Sequence, residues 1–308
     1  MKFDIVTYHD VKDKFQFAPL MSQAFEWTPP PGTFETRARD DFRLKGTPVA
    51  FCALVNRRLA SMVGVMHIPT RTRKGDTMMT GGLWGVATLP EFAGQGLARK
   101  LLDTAHAQFR RERFPFSMLF TRETLIAYKW YLRDGYCDVL RFKSAHKQVS
   151  PRNAATPIAS ARTDAFDWNK ARRIFAEYAH NKTGYVVRPK AYETMVKIRK
   201  RADEARSVLM PGGYALLAET EGRLYIQELI ALDDHHAHRL VAAAEVRAKD
   251  MLIGHGIVDE SVYRTLLSHG YLGAPSSYGV FMAKPLTARA DFHKTYGDSF
   301  FLSPLDDY

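Results

Sequence analysis

Apolar and polar positions change period along the chain, and each change marks an element. Residues 3–8 alternate as a strand. Residues 14–26 carry a mixed helical spacing that stops at Trp27-Thr28-Pro29-Pro30-Pro31-Gly32, a run that neither a helix nor a central strand accommodates. A charged helix is predicted over 34–45. Strands follow at 48–55 and 58–68, joined as a hairpin at Asn56-Arg57, and at 78–88 after the basic turn Arg71–Asp76. Leu97, Leu101, Leu102, Ala105 and Phe109 then recur at three- and four-residue spacing, which predicts a helix to about Arg111 before Pro115. Phe116–Thr121 reads as a short apolar strand, Glu123–Asp134 as a helix stopped by Gly135, and 136–149 as a strand.

A polar stretch, Ser150–Ala161, contains Pro151, Asn153 and Pro157 and reads as a linker. The pattern then partly repeats. Helices are predicted over Asp164–Asn181, with Asp164 as cap, and Pro189–Arg206. Tyr214–Glu219 and Arg223–Leu232 form a hairpin about Glu221-Gly222. Helices His238–Gly254 and Val262–Gly270 and a strand Tyr278–Lys284 complete the series, and Leu267–Tyr271 echoes the ending of Leu132–Tyr136.

The chemistry concentrates where the strand 78–88 meets the helix from Leu97. Between them lies Gly94-Gln95-Gly96. The first amides of a helix have no internal partners and the dipole favours an anion there, while glycines let the backbone approach an oxygen cluster closely. The same pattern also serves as a plain tight turn. No Gly-x-x-x-x-Gly-Lys-Ser/Thr is present, which excludes a nucleotide-triphosphate loop. Arg99 stands where a dinucleotide fingerprint needs its third small residue.

The stretch Gly85–Ala98 resembles the acetyl-CoA motif of the GNAT superfamily of N-acetyltransferases, Arg/Gln-x-x-Gly-x-Gly/Ala. Gly96 and Ala98 hold its last two fixed positions, and Ala93 replaces the Arg/Gln. Residues 124–136 are similar to a later motif of that family, Asn-x-x-Ala-x-x-Leu-Tyr-x-x-x-Gly-Phe/Tyr. Ala127, Tyr131, Gly135 and Tyr136 match; Thr124 and Trp130 depart. The wording is most similar to the enhanced-intracellular-survival type. The resemblance implies an α/β (α+β type) fold with a mixed, largely antiparallel sheet flanked by helices, and two GNAT-like domains in tandem. Residues 1–149 would be the acetyl-CoA-binding catalytic domain, 150–161 the linker and 162–308 a degenerate second copy. In that copy Leu232-Asp233-Asp234-His235-His236-Ala237-His238 replaces the glycine loop, and its acids would repel a pyrophosphate.

By the same resemblance, Val86, Ala87 and Thr88 would hold the pantetheine arm of acetyl-CoA, and Gly94, Gln95, Gly96, Leu97, Ala98 and Arg99 its pyrophosphate. Tyr131 takes the general-acid position; a core aromatic is the other reading. The type's use of its own terminal carboxylate as base implies Tyr308. Glu26, His67, His106 and Glu123 are the remaining base candidates, and each also reads as structural. The implied reaction is acetyl transfer to a primary amine of a small molecule. A non-catalytic coenzyme A-binding protein is the alternative, and Ala93 speaks for it.

Composition adds bounds. The 308 residues suggest two domains. No apolar run reaches the ~20 residues of a membrane span, and the N-terminus lacks a signal-peptide core, which predicts a cytoplasmic protein. The net charge of +11 invites an anionic partner, which coenzyme A itself supplies, and makes a polycationic acceptor surprising. No nucleic-acid-binding signature is present. Cys52 and Cys137 both sit in apolar sequence and read as packing residues. The histidines at 235, 236 and 238 read as solvated cap residues, so no metal is expected. A homo-oligomer is compatible with all of this.

Overall fold

The computed structural model describes residues 2–149 and 165–306. The linker at 150–161, the Asp164 cap and Tyr308 lie outside the described residues.

Strands β1 (Asp4–Thr7), β2 (Ala50–Val55), β3 (Arg58–Arg71) and β4 (Thr77–Thr88) form an antiparallel run, with helices α1 (Phe17–Phe25) and α2 (Thr33–Asp40) between β1 and β2. The β2–β3 turn places Asn56 and Arg57 both at positive φ, 49° and 67°, as a two-residue hairpin turn requires. Helix α3 (Leu97–Arg111) crosses to β5 (Phe116–Thr121), which pairs parallel with β4. Helix α4 (Ile126–Arg133) and β6 (Cys137–Gln148) follow. The predicted charged helix ends early, at Asp40, and continues as one 3-10 turn, Phe42–Leu44.

The second half holds α5 (Trp168–Tyr178), α6 (Ala191–Lys200), β7 (Val208–Met210), β8 (Gly213–Thr220), β9 (Arg223–Ala231), α7 (Asp234–Arg247), β10 (Met251–Ile257), α8 (Glu260–Ser268), β11 (Leu272–Pro285) and α9 (Phe292–Tyr296). Three expectations change. Helix α5 begins at Trp168, capped by the Asp167 side chain. Helix α6 stops at Lys200, where Arg201 turns left-handed at φ 52°. The predicted helix 238–254 is a helix and then a strand, since the apolar run Met251–Ile257 pairs in the sheet.

The eleven strands of the described residues share one sheet, in the order β1-β2-β3-β4-β5-β11-β6-β10-β9-β8-β7. The order repeats about its middle: β9 and β10 pair parallel across α7, as β4 and β5 do across α3. The halves exchange their last strands. β11 lies between β5 and β6, and β6 lies between β11 and β10. Side-chain alternation gives the sheet two faces. One carries a continuous core against α1, α2, α5 and α6; the other carries separate cores beneath α3–α4 and α7–α8. Among the described residues no helix is long and apolar enough to cross a membrane.

Candidate active site

Strands β4 and β5 pair only from Gly81 to Leu83, against Ser117 to Leu119, and then part. Just where they part, β4 carries a bulge: Gly85 and Val86 together oppose Val63. Gly85 takes φ +57°, which a side chain would strain, and the extra residue re-aims the strand. The gap opens into a cavity of about 370 Å³.

Both halves line it. Leu83, Trp84, Gly85 and Val86 come from β4, Phe120 and Thr121 from β5, Tyr131 from α4, and Phe25, Trp27 and Arg37 from the first helices and the proline loop after them. Arg199, His255, Gly256, Ser276 and Pro304 come from the second half. The cavity therefore passes through the sheet: Tyr131 belongs to the core under α3–α4, whereas Trp84 packs on the opposite face beside Phe34.

Tyr131 is 5% exposed, and burial pushes its phenol above the ordinary tyrosine value, so it stays protonated. The residues that made its motif recognisable hold it in place. Gly135, at φ +90°, turns the chain after α4. Tyr136 donates its amide to the Tyr131 carbonyl at 3.0 Å, and its hydroxyl sits 2.8 Å from His106 Nε2 and 2.6 Å from Ser117 Oγ. Asp134 receives Lys284 Nζ at 2.7 Å and Arg99 Nη2 at 3.1 Å, tying the end of α4 to β11 and to the start of α3.

The glycine loop follows the same, C-terminal end of β4, beyond the bulge. Gly94 and Gly96 have φ +73° and +77°, and Gly96 caps α3 without a side-chain partner for the first-turn amides. A Cβ on either glycine would meet only open space. Gln95 and Arg99 are exposed, Ala98 is half-buried, and the Leu97 side chain is core. The Arg99 guanidinium is held by Asp103 and Asp134, so what it offers an anion is its backbone amide. Of the other residues expected to contact the coenzyme, Val86 lines the cavity, whereas Ala87 and Thr88 face Ser61, whose hydroxyl donates to the Ala87 carbonyl at 2.8 Å.

None of the base candidates on the first half is among the residues that line this cavity, although Glu26 lies between Phe25 and Trp27, which do. His106 is buried on the core face of α3; His67 pairs with Glu112 at 3.0 Å; Glu123 pairs with Arg141 at 2.6 Å; Glu26 ends α1 in a left-handed turn. The lining has an imidazole of its own that spacing did not single out, His255. It and Gly256 form a second bulge, two residues of β10 opposite Ser144, and His255 Nδ1 lies 3.3 Å from the Ser276 hydroxyl. Cys52 is buried, which pushes its thiol up to about 12. Cys137, expected to pack, is exposed at the start of β6. Asp233 caps α7, accepting the His236 amide at 2.8 Å and facing its ring at 2.8 Å.

The tail reaches the cavity from a buried polar network. Asp306 accepts Tyr192 Oη at 2.6 Å, and its carbonyl accepts Arg43 Nη1 at 3.1 Å; Arg43 also pairs bidentately with Asp41. Ser303 donates to Glu228, which pairs with Arg188 at 2.5 Å and accepts Tyr214 Oη at 2.6 Å. These contacts tie the tail to both halves and hold Pro304 against Gly256 at the cavity wall.

Residues 9–137 match the acetyltransferase (GNAT) domain family, and the match spans β2–β5, the glycine loop and the Tyr131 motif. They are a GNAT acetyltransferase domain. The fold around this GNAT domain is similar to a GCN5-related N-acetyltransferase from Kribbella flavida, with TM-score 0.68, 16% identity, and coverage of 94% of this chain and 73% of that one. Eis1 from Mycobacterium abscessus gives TM-score 0.60 and 17% identity over 92% and 74% of the two chains. A tandem GNAT protein from the clavulanic acid biosynthesis pathway gives 0.57 and 11% over 93% and 99%. At these identities the likeness is one of fold. No curated protein matches the sequence. The GNAT domain is that of an acyltransferase.

Proposed function

We propose that the protein transfers an acetyl group from acetyl-CoA to the primary amine of a small molecule, by direct attack on the thioester. The observation that carries this reading is the parting of β4 and β5 into a cavity with the protonated Tyr131 phenol on its wall. In this reading the pantetheine arm lies along β4 at Val86, Ala87 and Thr88, and the amides from Gly94 to Arg99 take the pyrophosphate. The acceptor nitrogen attacks the thioester carbon, the carbon–sulfur bond breaks, and Tyr131 gives its proton to the departing thiolate. The amine proton goes to the Tyr308 carboxylate, two residues past the anchored Asp306. Residues 162–308 act as a GNAT-like half that completes the acceptor side of the cavity.

Calorimetric titration with acetyl-CoA, paired with thiol-release assays on a panel of amines, tests the reading. Micromolar binding, turnover of at least one amine, and a roughly 100-fold lower kcat for Tyr131→Phe with little change in KM are expected. Deletion of Tyr308 should also cut kcat, whereas His255→Gln should not. The reverse pattern would move the base to His255. Acetyl-CoA binding without turnover of any amine would leave the non-catalytic reading, which Ala93 favours by removing a side-chain donor from the loop.

A further inference from the structure

We propose that the acceptor is a monoamine with an uncharged aromatic body, and that Gly64, through Trp84, shapes the cavity for that ring. The proposal deepens the transfer reading and rests on it for the chemistry at the nitrogen. The cavity divides by sheet face. Leu83, Val86, Leu119 and Tyr131 line it from the core under α3 and α4, the face on which Gly96 opens α3, so this side belongs to the donor. Met21, Phe25, Trp84, Phe120 and Phe142 line it from the core under α1 and α2, which leaves that side to the acceptor. All of these but Met21 are aromatic, and the Phe120 and Phe142 rings stand 5.4 Å apart.

Gly64 is what makes room for the indole. It pairs with Trp84 across β3 and β4, and a methyl there would meet Cε2, Cδ2 and Nε1 of the ring at 2.3 to 2.5 Å. Any side chain at 64 therefore displaces the indole, although the extended backbone of β3 itself accepts alanine there. Arg37 stacks on the same ring at 3.9 Å, and Phe34 packs beside it. Trp84 is thus a fixed wall, and a flat ring packs on aromatic walls by edge or face in a way that a flexible chain does not.

Charge sorts the rest. None of the described lining residues is Asp or Glu. Arg37 and Arg199 line the cavity, but their charge is engaged: burial pushes the Asp41 carboxyl up, and Arg43, Arg199 and Arg37 outweigh it and hold it down at about 2. The Tyr308 carboxylate of the transfer reading supplies one anion, which matches one ammonium. The further charges of a polycationic acceptor would be stranded among apolar walls. An acidic acceptor would meet that same carboxylate. A ring on a short amine arm fills the acceptor side, and a cavity of about 370 Å³ suits a small molecule of that kind.

The test uses the full chain with excess coenzyme A and four probes titrated by calorimetry: N-acetyl-2-phenylethylamine, N-acetyl-butylamine, N-acetylspermidine and N-acetylphenylalanine. The phenylethyl amide should bind at least tenfold more tightly than each of the others. Gly64→Ala, and separately Trp84→Leu, should cut its preference over the butyl amide at least fivefold while each variant keeps a single thermal transition, so that lost folding does not account for the change. Equal binding of the phenylethyl and butyl amides, tighter binding of the spermidine or phenylalanine compound, binding of none of them, or a preference that survives both substitutions would overturn the proposal. Acetyl-CoA that fails to bind would instead sink the transfer reading, and the ratio of the amides would still report on the cavity by itself.

Discussion

Burial holds the His106 imidazole neutral and pushes its pKa down to about 3, with the Lys284 ammonium adding to the effect. Asp134 pulls the other way from 3.9 Å, but its carboxylate is already occupied by Lys284 and Arg99. The unfolded chain takes up this proton near 6.5, and the folded chain resists it to about 3. The stability His106 contributes is therefore complete above about pH 6.5. It falls by about 1.4 kcal/mol per pH unit as pH drops through that window. Urea unfolding from pH 7 to 5 should show this slope, and His106→Asn, which keeps a partner for Tyr136, should flatten it. At this scale the sequence was legible wherever a motif fixed a spacing: Gly135 and Tyr136 hold α4, and through it Tyr131. It was silent on His255, because a bulge re-aims one residue of a strand without leaving a periodic trace.

The start of α3 makes its case as an element rather than as side chains. Gly96 takes φ +77°, its Cβ direction is open, and no side chain caps the first amides. A substitution there carries both a backbone strain and a new group, and the two separate cleanly. Gly96→Ala should cost roughly 1 kcal/mol of stability and weaken acetyl-CoA binding modestly. Gly96→Glu adds a carboxylate beside the expected pyrophosphate, so its affinity should fall at least tenfold below that of the alanine variant in calorimetry. Equal affinities of the two would place the pyrophosphate elsewhere. Most elements were legible because strand alternation and the three- and four-residue helical spacing are strong over ten residues or more. The element that was misread, β10, is seven residues long, and a short apolar run does not distinguish a strand from a buried helix. The three-residue β7 is shorter still and was not foreseen.

The whole molecule depends on pairings that no local pattern records. Alternation shows that β6 and β11 are strands, yet nothing in either sequence says that each lies beside the other half's strands. Because of that exchange, residues 1–149 alone would leave β5 and β6 with an open slot where β11 belongs, and unpaired strand edges recruit other chains. A fragment of residues 1–149 should aggregate or melt without a cooperative transition, and co-expression with residues 162–308 should restore a single sharp one. A sharp thermal transition in the isolated fragment would show that the slot closes by itself.

The exchange also sets a clock on synthesis. β11 begins about 150 residues after β5 ends. At the usual pace of translation, about 5–20 residues per second, the open edge would face the ribosome's surroundings for roughly 8 to 30 seconds before its strand is made. During that interval the nascent chain is a client for whatever binds exposed strand edges. A pause in translation between residues 149 and 272 would lengthen the exposure, so codon choice in that stretch should govern soluble yield even though it leaves the finished protein unchanged.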